Sequence, residues 1–305
     1  MRALITDQRA AGRIRVADVA EPVPAPDEAL VRVHAFSVNP GDLHQVSTAP
    51  DGTVAGWEAS GVVEREAADG SGPARGTHVI TCAAAGGWAE VRAVPTRWLG
   101  VVPDGVDLVG AATLPVAAGS ALRALRAVGP ILGRRVLVTG ATGAVGAHAV
   151  QLAAMGGAEV VAVTRDPARE PWLRELGATE VVTRPSAVTG AVDGVVDNVG
   201  GDVLTEAFAL LRDGGVLMTV GRAARQDAVL PPDALLGAWD LPQREIRTFM
   251  LLFEDIRLDR DLTLLARWVA EGRLRTRVDR VEGLEAGAEL IAGGEWTGKL
   301  VVRLT

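Results

Sequence analysis

The stretch Val136-Leu137-Val138-Thr139-Gly140-Ala141-Thr142-Gly143-Ala144-Val145-Gly146 decides the fold. An apolar run of β character, Arg135 to Thr139, enters a glycine-rich turn, and the turn opens a helix-like segment, Ala144 to Met155. Strand, glycine turn and helix in that order are the setting a dinucleotide fingerprint requires. Gly140 permits the tight turn, Gly143 lets the backbone approach a pyrophosphate, and Gly146 lets the helix pack on the strand. The helix N-terminus adds N–H groups and the positive end of its dipole, so residues 140–146 form a candidate phosphate cradle. The turn lies far into the chain, so a sizeable domain precedes it.

Working outward, residues 113–255 alternate strand and helix, the rhythm of a parallel sheet. Strands are expected at Val136–Thr139, Glu159–Thr164, Glu180–Thr183, Val192–Asp197, Gly214–Val220 and Glu245–Leu252. Helices are expected at Ala144–Met155, Ala168–Leu176 and Val203–Leu211. Residues 1–112 read as mainly β, with short apolar runs (Ala29–Ala35, Ala59–Val63, His78–Thr81, Ala89–Val94) between Pro- and Gly-rich turns. The tail, 256–305, holds a helix at Asp261–Glu271 closed by Gly272, a strand at Arg277–Val281, a short helix at Glu285–Ala292 and a last strand at Leu300–Leu304. It is expected to return to the N-terminal domain.

Composition narrows the chemistry. No apolar run approaches the roughly 18 residues of a membrane span, and Met1–Asp7 lacks the longer apolar core of a leader. One cysteine, Cys82, cannot close an internal disulfide. A cytoplasmic protein without membrane contact is the expectation. A net charge of −7 argues against a nucleic-acid partner. The chain has no tyrosine and a single lysine, Lys299, so a catalytic Tyr–Lys pair is impossible. A catalytic proton must come from another side chain or from water.

The second strand of the alternating region ends Val163-Thr164-Arg165, followed by Asp166-Pro167-Ala168-Arg169. A hydroxyl and two arginines one helical turn apart suit the 2′-phosphate of NADP(H), so Thr164, Arg165 and Arg169 are candidate cofactor contacts. Asp166 is the contrary signal, since a one-residue shift would favour NAD. Two solvated arginines are the other reading. Arg184, past the third strand, is either a third cation at the adenine end or a surface charge.

Several ordered motifs carry a resemblance that covers nearly the whole chain. They are Ser37-Val38-Asn39-Pro40-Gly41-Asp42-Leu43-His44, Gly56-Trp57-Glu58-Ala59-Ser60-Gly61, Leu114-Pro115-Val116-Ala117-Ala118-Gly119-Ser120, the glycine turn, Asp197-Asn198-Val199-Gly200-Gly201 and Gly298-Lys299-Leu300. In these the chain resembles the medium-chain dehydrogenase/reductase superfamily, in its zinc-independent branch of quinone oxidoreductases and enoyl reductases. The resemblance implies an α/β fold: a chaperonin-10-like (GroES-like) β domain, a Rossmann doubly wound parallel sheet, and a cleft between them. Zinc members carry Cys where Asn39 stands, His where Trp57 stands, and usually Cys near Val116. An amide, an indole and an alkyl group do not replace them, so no metal site is expected.

What the resemblance implies for the site follows residue by residue. Asn39 is expected to bond the cofactor or a substrate oxygen, with a turn-forming Asn before Pro40 as the plainer reading. Asp42, a candidate catalytic residue, matches an acidic position that often holds local backbone, a role favoured over acid catalysis. His44 is the candidate proton donor, with solvent the alternative. Ser120, Asn198, Val199 and Gly221 match positions around the nicotinamide. Met250, between Phe249 and Leu251, lies in the sixth-strand segment, near the nicotinamide or at a dimer interface. Lys299 either approaches the cofactor or lies on the surface. The segment between Leu43 and Ala55 is shorter than in relatives, which suggests a wider pocket. The expected function is NADPH-dependent hydride transfer to a quinone or α,β-unsaturated carbonyl. A ketone/alcohol dehydrogenase using His44, and a non-catalytic NADPH-binding protein, are the alternatives. A homodimer is expected because the sixth strand is apolar enough to need cover at a sheet edge.

Overall fold

The computed structural model describes residues 1–232, 234, 243–251, 256–294 and 296–305. The chain divides into two compact units, Met1–Gly119 with Leu252–Thr305, and Ser120–Leu251.

The first unit begins with β1 (Arg2–Thr6), β2 (Ile14–Asp18), β3 (Glu28–Ser37), α1 (Pro40–Thr48), β4 (Glu58–Arg65), β5 (His78–Cys82), β6 (Val91–Pro95), β7 (Leu99–Val101) and a short α2 (Leu108–Ala111). Of these, β1, β2, α1, β7 and α2 were not anticipated from the sequence. The unit boundary falls inside α3 (Leu114–Val128), after Gly119.

The second unit holds β8 (Arg135–Val138), α4 (Ala144–Met155), β9 (Glu159–Val163), α5 (Glu170–Glu175), β10 (Glu180–Val182), β11 (Val192–Asp197), α6 (Gly201–Ala209), β12 (Leu211–Thr219) and β13 (Arg244–Thr248). All pairings in its six-stranded sheet are parallel, in the order β10-β9-β8-β11-β12-β13. That is the doubly wound order, and its direction reverses between β8 and β11. Both faces of such a sheet are covered, which is why β8 and β9 carry the apolar runs Val136–Val138 and Val160–Val163 rather than alternating residues. Leu137, Val161, Val195, Phe208 and Leu217 belong to the core cluster here.

The chain then returns through α7 (Asp259–Ala270), β14 (Arg280–Glu282), α8 (Leu284–Gly293) and β15 (Leu300–Arg303). β15 pairs antiparallel with β3, setting Val301 opposite Ser37, so the last strand completes the first unit's seven-stranded sheet. Phe36 and Trp88 stack at 5.7 Å in that unit's core. Among the described residues, no helix is long and apolar enough to cross a membrane.

Several expected bounds shift: β12 starts at Leu211 rather than Gly214, and β14 covers Arg280–Glu282 rather than Arg277–Val281. The helix read at 168–176 is a 3₁₀ turn, Pro167–Arg169, followed by α5, because Pro171 occupies the first turn and restarts the helix. The sixth strand, read to Leu252, stops at Thr248. Met250 lies beyond it and is 60% exposed, while Leu252 falls outside the described residues.

Candidate active site

In the first unit, three segments distant in sequence from Glu58 converge on its carboxylate. Pro40 starts α1, and the Asp42 carboxylate reaches back to the Asn39 N–H at 2.7 Å, which fixes the helix entry. β4 opens on Glu58, whose side chain is fully buried. Its Oε1 accepts from the Ser37 hydroxyl, from Asn39 Nδ2 at 2.8 Å and from Lys299 Nζ at 2.8 Å. Its Oε2 accepts from the Val116 N–H at 2.7 Å, a first-turn donor of α3. Lys299 comes from just before β15. It donates also to Asn39 Oδ1 at 2.6 Å and to the Val38 carbonyl at 3.3 Å, which uses all three of its N–H bonds. A buried charge survives only when paired and fully hydrogen-bonded, and this ion pair meets both conditions.

This geometry corrects two expectations. Lys299 is 3% exposed, so it is no surface lysine. Asn39 does not offer its amide to a ligand: one N–H goes to Glu58, the other to Asp42 at 3.2 Å, and its oxygen takes the lysine. An amide has two donors, and both are consumed inside the cluster.

Asp42 is buried on α1 and holds backbone, as expected. Its Oδ1 accepts from the Trp57 N–H at 2.9 Å. Burial pushes its carboxyl up to about 7, with the nearby Glu58 adding to the rise, while bonds from Asn39 and the charge of Lys299 hold it down. An aspartate raised from about 4 in the unfolded chain binds more protons when folded. The stability that Asp42 contributes is therefore present at low pH and declines as pH rises from about 4 toward 7. Melting temperatures measured at pH 5 and pH 8 should differ less in Asp42→Asn than in the wild type. An unchanged difference would remove Asp42 from that role.

His44 is exposed on α1. Two residues past Asp42 on a helix is more than half a turn, so His44 faces away from the cluster.

Trp57 is the half-buried member of the group. Its peptide is fixed on both sides. The N–H donates to Asp42, and the carbonyl accepts from Ala83 N at 2.8 Å and from Arg92 Nη1 at 3.3 Å. Arg92 is itself buried against neutral acceptors, Thr81 Oγ1 and the Ala85 carbonyl, each at 2.8 Å, and burial lowers its pKa to about 10. The indole lies against Gly41: a Cβ on that glycine would stand 2.1 Å from Trp57 Cη2. Neither Glu58, Trp57 nor Arg92 received a role from the sequence. An acidic residue heading an apolar strand, in a chain with one lysine, was the available signal.

The second unit carries the glycine turn at the C-terminal end of β8, beside the point where the strand order reverses. Gly140 has φ +57°, the left-handed region that glycine reaches without strain. A Cβ on Gly146 would stand 2.2 Å from the Gly140 carbonyl oxygen. Gly143 caps α4 and brings no side-chain oxygen to its first-turn N–H groups. This cradle fits the pyrophosphate of a dinucleotide. The adjoining strand end is locked from within. Asp197 accepts from Thr139 Oγ1 at 2.6 Å and from Gly200 N at 2.9 Å, and Asn198 Nδ2 donates to the Thr139 carbonyl at 2.9 Å. Asn198 and Val199 carbonyls accept from Ala223 and Ala224, and Gly221 packs on Asn198. The Asn198 amide therefore ties β11 to β8. Ser120 is buried on α3.

At the end of β9, Thr164 is buried and its hydroxyl meets the Asp166 N–H at 3.2 Å. Asp166 caps the following turn, accepting from Ala168 N at 3.1 Å, and lies 3.8 Å from Arg169 Nε. Arg165 is exposed. The Arg184 guanidinium is paired with Glu206 of α6 and remains 64% exposed.

The residues present do not fit a zinc ion. Positions 39, 57 and 116 offer an engaged amide, an indole and an alkyl group, and the Glu58 charge is already matched by an ammonium. Among the described residues, no three His, Cys, Asp or Glu side chains group as a metal site.

Residues 25–104 match the family model for the alcohol dehydrogenase GroES-like domain, and residues 144–257 match that for zinc-binding dehydrogenases. The quinone oxidoreductase from Thermus thermophilus, solved also in complex with NADPH, is 30% identical with a TM-score of 0.81, covering 100% of both chains. Quinone oxidoreductase-like protein 2 of Bos taurus is 29% identical over 85% of this chain and 79% of its own length. Erythronolide synthase EryA2 of Saccharopolyspora erythraea is 34% identical over 69% of this chain, which spans 6% of that synthase's length.

Proposed function

Because the chain belongs to the medium-chain dehydrogenase/reductase superfamily and to its quinone oxidoreductase branch, we propose that it is an NADPH-dependent, zinc-independent oxidoreductase acting on a quinone or an α,β-unsaturated carbonyl. The observation that carries the cofactor preference is the engagement of Asp166. Its Oδ1 caps the turn after β9 and its Oδ2 lies 3.8 Å from Arg169, so part of the acidic group that would favour a ribose 2′-hydroxyl is engaged locally. Arg165 next to it, with Arg169 close by, supplies positive charge for a 2′-phosphate. The glycine turn, with Gly143 capping α4, holds the pyrophosphate.

Bound NADPH supplies a hydride. The acceptor takes that hydride and one proton, becoming a hydroquinone or a saturated carbonyl compound. A metal is not needed, because the conjugated acceptor spreads the incoming charge onto its own oxygen. The proton comes from solvent or from the exposed His44. The buried Glu58–Lys299 pair keeps α1, β4 and the start of α3 in register and moves no proton.

The test is loss of NADPH absorbance on metal-analysed protein, with naphthoquinone, methyl vinyl ketone and a simple ketone as acceptors. Turnover of either conjugated acceptor without zinc is the expected result. Arg165→Ser should weaken NADPH by about tenfold to a hundredfold and leave NADH unchanged, the loss of one charge-assisted contact. Turnover of the simple ketone alone would favour a dehydrogenase, and binding of NADPH without any turnover a non-catalytic protein.

Association into a homodimer belongs to the same proposal, although the ground expected for it is not there: among the described residues β13 is an edge of the parallel sheet whose exposed positions carry the Glu245–Arg247 ion pair rather than apolar groups. Apolar Phe249 and Met250 follow it. A solution mass equal to the single 31.7 kDa chain at micromolar concentration would overturn the dimer.

A further inference from the structure

We propose that the indole of Trp57 is the acceptor-binding face of the first unit, and that it selects planar conjugated acceptors such as quinones over open-chain enones. The inference rests on the oxidoreductase reading above and deepens it. It starts from a shortage. Of the polar side chains around Glu58, those of Ser37, Asn39, Asp42 and Lys299 are buried and bonded to one another. An acceptor meeting this cluster finds no amide and no ammonium to bond.

Trp57 is different in both respects. It is half-buried, and its recorded hydrogen bonds run through the main chain only. Among the described residues, its indole Nε1–H meets no acceptor. An indole is a broad π surface, which matches a flat conjugated ring. Stacking on the ring orients the acceptor; the Nε1–H lies in the indole plane, so it does not bond the carbonyl of an acceptor stacked on that ring.

The indole is also held in place before any ligand arrives. Asp42 and Arg92 fix its peptide from opposite sides, and its six-membered ring rests on Gly41, where only a glycine leaves room. Such preorganisation spares binding the cost of ordering the ring. It also gives a way to move the indole without deleting it, since Gly41→Ala sets a methyl group where the ring now lies.

The experiment compares Trp57→Phe, Trp57→Leu and Gly41→Ala with the wild type, using naphthoquinone and methyl vinyl ketone at saturating NADPH. NADPH affinity and melting temperature are measured alongside. Trp57→Phe keeps a flat ring, so it should hold kcat and KM for naphthoquinone within about threefold of the wild type. Trp57→Leu loses the face, and its KM for naphthoquinone should rise about tenfold. Methyl vinyl ketone should lose less in Trp57→Leu, and Gly41→Ala should follow Trp57→Leu while NADPH affinity stays at the wild-type level. Unchanged kcat/KM for naphthoquinone in Trp57→Leu would overturn the inference and leave the functional reading standing. Equal loss for both acceptors would also overturn it, since selectivity would then lie elsewhere. A wild type that reduces neither acceptor would overturn the functional reading, and this inference with it.

Discussion

Lys299→Met should lower the unfolding free energy by about 3–5 kcal/mol, the usual consequence of leaving a buried charge without its partner. The reason is the position of Glu58. Its carboxylate is 0% exposed and takes four donors, of which Lys299 is the cation. Methionine fills most of the lysine's volume but leaves Asn39 Oδ1 and the Val38 carbonyl without their shared donor. It also leaves Glu58 with no opposite charge. The double variant Glu58→Gln, Lys299→Met removes both charges and should recover a large part of the loss, since an amide oxygen still accepts from Val116 or Asn39. Chemical denaturation of the three proteins measures this directly. A Lys299→Met chain as stable as the wild type would mean that the cluster does not hold the unit together.

The second large effect is expected at the glycine turn. Gly146→Val should weaken NADPH binding by two orders of magnitude or more, a loss of about 3 kcal/mol, while the first unit keeps its fold. At 2.2 Å from the Gly140 carbonyl, even a Cβ cannot be accommodated unless α4 moves off β8. That displacement carries the helix N-terminus away from the phosphates it is placed to receive. Titration of NADPH by fluorescence, with near-native circular dichroism as the control, reads the effect. Retained affinity would mean that the phosphates bind elsewhere.

Much of the fold was legible along the chain because its signals are local. Periodicity and glycine punctuation gave five of the parallel strands and the start and end of α4, and β11 was read at its observed bounds, Val192–Asp197. The elements that went unread are those whose local signal is weak. β1 and β2 are short and pair chiefly with each other, and α1 begins in a segment, Asn39 to Leu43, that reads as a turn. The end of the sixth strand was misjudged because an apolar run continues past the point where parallel pairing with β12 stops, at Thr248.

The site divides along the same line. The sequence by itself determined the glycine turn, since Gly140, Gly143 and Gly146 act through backbone conformation and through contacts within a few residues. It also determined that positions 39, 57 and 116 lack zinc ligands, because that depends on residue type alone. Only the tertiary structure decided what replaces them. Glu58 and Lys299 stand far apart in sequence and meet through the pairing of β15 with β3. Neither residue type nor spacing reports whether a lysine is solvated or buried against a carboxylate, or whether an asparagine's donors are free. Those are properties of what the folded chain brings within hydrogen-bond distance, and they engage both amide donors of Asn39 inside the cluster and leave Trp57 half-buried.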